Sequence, residues 1–185
     1  MKIAPVVLPA HLIDRGGPEL FARLVGFGAG TLTFEPLLGL IASRECPGHV
    51  LLETLNLVPQ WVKSGRVIVS GFHSPLEQQV LHSLLRRNGH AVKVLARCFS
   101  ASGYRLAKEE QDAFANGRLL IISAFGADTP RVTRVSAIKR NELVIAFSTE
   151  VVTPFISKGS PLEELLPSTK LNSRIGLMCL YQNVS

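Results

Sequence analysis

Short apolar segments alternate with helix-forming segments along most of the chain. Six segments of this kind occur, at residues 37–42, 67–69, 91–96, 119–123, 151–156 and 175–180. A strand that is buried on both faces reads as a continuous apolar run, and a parallel strand needs a crossover that is usually a helix. The alternation therefore predicts an α/β fold, with a doubly wound, mostly parallel six-stranded sheet and helices on both faces.

The segment 66–89 shows the local unit most clearly. A short β-branched strand is ended by Ser70 and Gly71, and Ser74 is a good N-cap for the helix that follows. Glu77 completes a Ser-x-x-Glu capping box, which fixes the helix start. Such a unit directs unpaired backbone N–H groups to the carboxyl end of the strand, where a phosphate can bind.

The same helix start occurs again late in the chain. Residues 74–77 and 160–163 both read Ser-Pro-Leu-Glu, and each copy follows a strand and a loop that contains glycine. In open parallel sheets ligands bind in a crevice outside the carboxyl ends of the strands. We therefore predict that four loops converge on one site, namely residues 43–48, 70–75, 124–130 and 157–161.

The remaining boundaries are set by weaker signals. We predict a short helix at 19–25, a flexible turn at 26–30, a strand-like segment at 31–34 and a long helix at 130–147. The three glycines of the turn do not form a dinucleotide-binding motif, because such a motif follows a buried strand and opens a helix. The whole chain is predicted to be one domain, with residues 1–35 as an extension of a core at 36–180.

Composition and charge limit the classes of function. Twenty Lys and Arg against fourteen Asp and Glu give a net charge of +6, which favours anionic partners. No apolar run approaches the roughly 20 residues of a membrane span, and the three cysteines lack disulfide or zinc spacing. We therefore expect a cytoplasmic chain without a membrane partner, metal or cofactor, and a homodimer is left open.

Four motifs occur in an order and spacing that are informative. They are IASR at 41–44, VIVSG at 67–71, KRNELVIAFSTEVV at 139–152 and KGSPLEEL at 158–165. Together they resemble the Rossmann-like domain of the DNA-processing protein A family, DprA or Smf, within a wider group that includes the Lonely Guy phosphoribohydrolases. The resemblance spans about residues 37–165 and implies a Rossmann-like sheet and a role in DNA processing.

The resemblance also implies which residues bind a ligand. The residue pairs that match the family's motifs are Ser43-Arg44, Ser70-Gly71, Arg140-Asn141 and Gly159-Ser160. The Arg140-Asn141 pair either holds a neighbouring loop of the site or contacts the ligand itself. The chain departs from the family at Ala42, where the family has glycine, and at 72–74, where Phe-His-Ser replaces Ala-Arg-Gly-Ile-Asp. The Pro-Gly-Gly-x-Gly-Thr-x-x-Glu signature of the phosphoribohydrolases is absent.

Residue chemistry adds two candidates from the loop after the second strand. His73 stands just before the helix cap, where an imidazole can donate to a phosphate or act as an acid, and Ser74 lies in the same crevice. Arg44 either contacts an anion or forms a structural ion pair. The predicted phosphate-binding residues are Ser43, Arg44, Ser70, Gly71, His73, Ser74, Arg140, Asn141, Gly159 and Ser160.

Three functions fit these patterns. The first is a DprA-like protein that binds a nucleotide or the phosphates of single-stranded nucleic acid. The second is hydrolysis of a nucleotide at its N-glycosidic bond, with Glu163 or Glu164 as the acid-base group. The third is a structural relative that binds no ligand. The sequence assigns no catalytic residue.

Overall fold

A computed structural model describes residues 2–100, 103–168 and 176–182 of the chain. Within these residues eight strands form one sheet: β1 Ala4–Pro5, β2 Val25–Gly28, β3 Leu37–Leu40, β4 Val67–Ser70, β5 His90–Val94, β6 Leu119–Ser123, β7 Glu150–Ile156 and β8 Gly176–Gln182. The helices in the same residues are α1 Ala10–Gly16, α2 Pro18–Phe21, α3 Gly48–Lys63, α4 Pro75–Arg86, α5 Lys108–Ala115, α6 Arg134–Phe147 and α7 Pro161–Ser168, with a 3₁₀ helix at Gly30–Phe34.

The six predicted strands are present as β3 to β8 and lie parallel in the order β6-β5-β4-β3-β7-β8. The first residue of the strand predicted at 175–180 lies outside the described residues. The chain winds from β3 to β6 in one direction and then returns to the other side of β3 with β7. The order therefore reverses between β3 and β7, where Leu40 pairs with Val152. The predicted doubly wound α/β fold is confirmed.

The helices cover both faces of the sheet, as predicted. Helices α3, α4 and α5 pack on one face, with Trp61 and Val80 among their buried side chains. Helices α1, α2, α6 and α7 cover the other face, where Phe147 and Leu162 are buried. Because β3 to β7 are buried on both faces, the apolar runs in this part of the sequence are continuous rather than alternating.

The N-terminal region adds two strands that were not predicted. β1 pairs with β2, and β2 pairs antiparallel with β6. The sheet of the described residues therefore has two strands more than the six predicted. The predicted turn at 26–30 is wrong in its first part, because Gly26 and Gly28 belong to β2. A side chain at Gly26 would overlap the backbone of Ile121, so glycine permits close strand pairing here.

Two other predictions for this region were also wrong. The helix predicted at 19–25 ends at Phe21, because the chain enters β2 at Val25. The strand predicted at 31–34 is part of the 3₁₀ helix. There the Thr33 hydroxyl donates to the carbonyl oxygen of Gly30 at 2.9 Å, a local bond that favours a turn over an extended strand.

Helix α6 begins later than predicted. Its N-cap is Thr133, whose hydroxyl accepts from the backbone N–H of Ser136 at 3.0 Å, while the Ser136 hydroxyl accepts from Thr133 N–H at 2.8 Å. The segment before the cap, predicted to be helical from residue 130, is a loop. No described helix combines the length and the apolar content that crossing a membrane requires.

Candidate functional site

A cavity of about 550 Å³ opens at the carboxyl edge of the parallel strands, beside the point where the strand order reverses. Its walls are formed by residues that follow β3, β4 and β7 and by the first turns of α6. Three of the four predicted loops therefore meet there. The fourth, 124–130, lines a separate cavity of about 350 Å³ with Glu19 and Arg23, because β6 lies three strands away from β3.

Arg140 supplies a buried cation to the main cavity. It is 7% exposed, it lines the cavity, and its Nε donates to Oδ1 of Asn141 at 2.9 Å. None of the ion pairs between described residues includes Arg140. Burial lowers the pKa of the guanidinium, Glu77 raises it, and Arg44 lowers it. The site thus holds a largely desolvated positive charge that interacts with Glu77 at longer range but forms no ion pair in the described part of the chain.

Gly71 makes room for this cation. A Cβ atom at position 71 would overlap the Arg140 guanidinium and would also come within 2.7 Å of its Cδ. Glycine is therefore required at position 71 of the Ser-Gly pair, because any larger residue would displace the arginine. Ser70 is fully buried below, and its hydroxyl accepts from Phe72 N–H at 3.1 Å.

Glu77 occupies backbone N–H groups that the sequence suggested were available to phosphate. Its Oε1 accepts from Ala42 N–H at 3.0 Å, and its Oε2 accepts from His73 N–H at 2.8 Å and from Ser74 N–H at 3.3 Å. The predicted capping box is confirmed, since the Ser74 hydroxyl also accepts from Glu77 N–H. These three amides are satisfied within the protein, so they are not available to an anion.

Arg44 and His73 face each other at the mouth of the cavity. The Arg44 Nη2 atom lies 3.3 Å from His73 Nε2, and both side chains are exposed. Burial, Arg140 and Arg44 lower the pKa of His73 in that order of size, and Glu77 opposes them. The surroundings therefore lower the pKa of His73 and favour its neutral form.

The loop after β7 is held by its own hydrogen bonds. The Ser43 hydroxyl accepts from Ser157 N–H at 2.9 Å, which joins this loop to the end of β3. The Ser160 hydroxyl accepts from Glu163 N–H at 3.3 Å, and the Glu163 carboxylate accepts from Gly159 N–H at 2.5 Å. Glu163 is thus engaged in closing the start of α7.

The structure brings most of the predicted residues together. The predicted residues that line the cavity are Ser43, Arg44, His73, Ser74, Arg140, Asn141 and Ser160. The other three take supporting places: Ser70 is buried, Gly71 lies under Arg140, and Gly159 lies in the loop before α7. Among the described residues no group of three or more His, Cys, Asp or Glu could hold a metal ion.

Sequence reasoning missed Arg134 and Glu77 as cavity residues. Arg134 was not among the predicted site residues, and it is the first residue of α6. The pair Thr133 and Ser136 carried the signal for the later start, since small hydroxyl residues three apart cap a helix. Glu77 was recognised as a capping residue, but its second bond to Ala42 depends on how two neighbouring strands end.

Three solved structures share this fold. DNA processing protein A from Helicobacter pylori, reported for its single-stranded DNA binding mode, is 23% identical, with a TM-score of 0.69 over 88% of this chain and 73% of that protein. DprA from Streptococcus pneumoniae is 16% identical, with a TM-score of 0.56 over 84% of this chain and 62% of that protein. The Moco carrier protein of Chlamydomonas rheinhardtii is 16% identical, with a TM-score of 0.51 over 80% and 77% of the two chains.

The comparison with protein families covers most of the chain. No curated protein matches this sequence. Residues 18–157 match the family described as DNA recombination-mediator protein A, and this range includes β2 to β7 and the cavity residues from Ala42 to Ser157. The range is well over half of the 185 residues, so this chain belongs to the DNA recombination-mediator protein A family.

Proposed function

We propose that this cavity binds the phosphate backbone of single-stranded DNA and that the protein acts in DNA processing. One observation carries the proposal. Arg140 is 7% exposed, its side chain lines the cavity, and it forms no ion pair with a carboxylate among the described residues. An unpaired buried charge is costly, and a bound phosphate would supply the missing partner.

The rest of the cavity suits a nucleotide unit. Arg44 and Arg134 add cations near Arg140, so a phosphate can meet more than one guanidinium. The remaining wall is largely apolar and includes Ala42, Val132, Ala137, Ile138, Pro161 and Leu162. A cavity lined by both charged and apolar side chains matches a ligand that carries a phosphate and a sugar or base.

Family membership and the net charge of +6 support the same reading. The Helicobacter pylori protein with the same fold is described as binding single-stranded DNA. Hydrolysis of nucleotides is less well supported, because the Glu163 carboxylate already accepts from Gly159 N–H. We also propose that the cavity binds free nucleotides, that the protein forms a homodimer and that it is located in the cytoplasm. Light scattering during gel filtration tests the homodimer.

The experiment is a fluorescence anisotropy titration with a labelled oligodeoxythymidylate. Arg44→Ala removes an exposed cation of the cavity and should weaken binding about tenfold, the loss typical of one charge-assisted hydrogen bond. Arg87→Ala, an exposed arginine at the far end of α4, is the matched control and should have little effect.

The salt dependence of binding and competition by nucleotides provide two further tests. The slope of log affinity against log salt should decrease in magnitude by about 0.7 for Arg44→Ala, as expected for one lost phosphate contact on a single strand. Nucleoside monophosphates added as competitors distinguish a nucleotide site from a nucleic-acid site. Equal affinities of wild type, Arg44→Ala and Arg87→Ala at every salt concentration would contradict the proposal.

A further inference from the structure

The contact between His73 and Arg44 favours the neutral form of the imidazole. Arg44 Nη2 and His73 Nε2 are 3.3 Å apart. A guanidinium carries only donors, so this contact is a hydrogen bond when the imidazole is neutral, with its ring proton on Nδ1 and Nε2 as the acceptor.

The charged groups around His73 explain why it stays neutral. The loop after β3 contributes Arg44 and Glu45 to the cavity, and α6 contributes Arg134 and Arg140. Helix α4, which follows His73, contributes Glu77, whose carboxylate already accepts from three backbone amides. Among the described residues, the loop after β7 and the start of α7 contribute only uncharged side chains to the cavity. Burial, Arg140 and Arg44 act in the same direction and hold the pKa of His73 below its ordinary value.

An anion in the cavity would reverse this balance. Its negative charge would offset Arg44 and Arg140, the two cations that oppose a proton on the imidazole. Arg44 would turn from His73 to the anion, which frees Nε2 to bind a proton and donate to the same anion. We infer, on the basis of the proposed anion site, that His73 contacts the bound anion and takes up a proton when it does so. Anion binding and proton uptake at His73 Nε2 therefore occur together.

This linkage has a direction that can be measured. If binding takes up a proton, affinity must rise as the pH falls, by at most tenfold for each pH unit. We expect the wild-type affinity for a single-stranded probe to rise about three- to tenfold more than that of His73→Gln between about pH 8 and about pH 6. The amide oxygen of the substituted glutamine can still accept from Arg44, but the amide cannot take up a proton.

The probe is an oligodeoxythymidylate without a terminal phosphate, because its phosphodiester charge does not change in this pH range. Isothermal titration calorimetry at constant salt, in two buffers that differ in ionisation enthalpy, counts the protons taken up on binding. Wild type should take up a substantial fraction of one proton per site near neutral pH, and His73→Gln should take up almost none. His82→Gln, which alters an exposed histidine paired with Glu109 on another helix, should behave as wild type.

A second measurement separates this inference from the proposed function. Sulfate keeps its charge across the same pH range, and NMR titration of the His73 ring reports its pKa with and without sulfate. A rise in that pKa with sulfate supports the linkage even if the oligonucleotide does not bind. Oligonucleotide binding with the same proton uptake in wild type and His73→Gln overturns the linkage and leaves the proposed function standing. A His73 resonance that responds to neither probe also overturns it.

Discussion

The guanidinium of Arg140 packs directly against the backbone of Gly71, in the space that a Cβ atom at position 71 would occupy. α6 supplies the arginine, and the end of β4 supplies the glycine. The two motifs Ser-Gly and Arg-Asn, which lie far apart in the sequence, therefore form one unit in the fold. The glycine lets a buried cation reach the cavity, so a change at either residue should affect the same site.

Gly71→Ala should displace Arg140 and weaken anion binding. The overlap of the new methyl group with the guanidinium cannot be relieved without moving the arginine or the backbone, at a cost of about 1–3 kcal/mol. We expect the affinity for single-stranded DNA to fall at least about tenfold, measured by anisotropy. Gly48→Ala is the matched control, because a Cβ there meets nothing within 4 Å. Equal affinities of the two variants would contradict the role of Gly71.

Arg140→Met should abolish binding without destabilising the fold. Arg140 is largely desolvated and forms no ion pair among the described residues, so an apolar side chain of similar length removes the cost of burying its charge. We therefore expect the free energy of unfolding in urea to be at least that of wild type, while affinity for the oligonucleotide is lost.

Arg118→Met provides the comparison for Arg140→Met. Arg118 is also buried, but it pairs with Asp112 at 2.5 Å and donates to the carbonyl oxygens of Leu85 and Gly89 at 3.5 Å. This variant should lose stability and keep its affinity, which is the opposite result. If Arg140→Met is the more strongly destabilised of the two, then Arg140 is a structural residue rather than a ligand residue.

Glu77→Gln should destabilise the protein. The carboxylate accepts three backbone N–H groups, and an amide has one acceptor oxygen and would direct its own N–H₂ group at the remaining donors. Each buried donor left unsatisfied costs about 1–3 kcal/mol, so the midpoint of thermal unfolding should fall clearly. The exposed Glu35→Gln should change it little. An unchanged midpoint for Glu77→Gln would show that these bonds contribute little.

The features that the sequence predicted well depend on local signals or on the order of elements. Ser74 and Glu77 fixed the start of α4 because a capping box acts within one turn of helix. The meeting of the loops after β3, β4 and β7 followed from the alternation of strands and helices, because parallel strands end at the same edge.

The features that the sequence did not predict depend on partners distant in the chain. β2 is a strand because β6 offers it an edge, and its glycines read locally as a turn. The bond from Ala42 N–H to Glu77, which takes an amide away from any ligand, requires β3 and β4 to lie side by side. The loop 124–130 lies beside a different cavity. This placement also depends on strand order, because β6, which precedes the loop, lies away from the point where the order reverses.

The double change Glu163→Gln and Glu164→Gln should leave oligonucleotide binding intact. Glu163 closes the start of α7 by accepting from Gly159 N–H, and Glu164 is exposed in the first turn of the same helix. We expect a loss of about 1 kcal/mol in the free energy of unfolding, as for a lost cap, and unchanged affinity by anisotropy. Incubating wild type with nucleoside monophosphates and assaying released base supplies the second measurement. If wild type releases free base from nucleoside monophosphates and the double variant does not, the two carboxylates take part in hydrolysis instead.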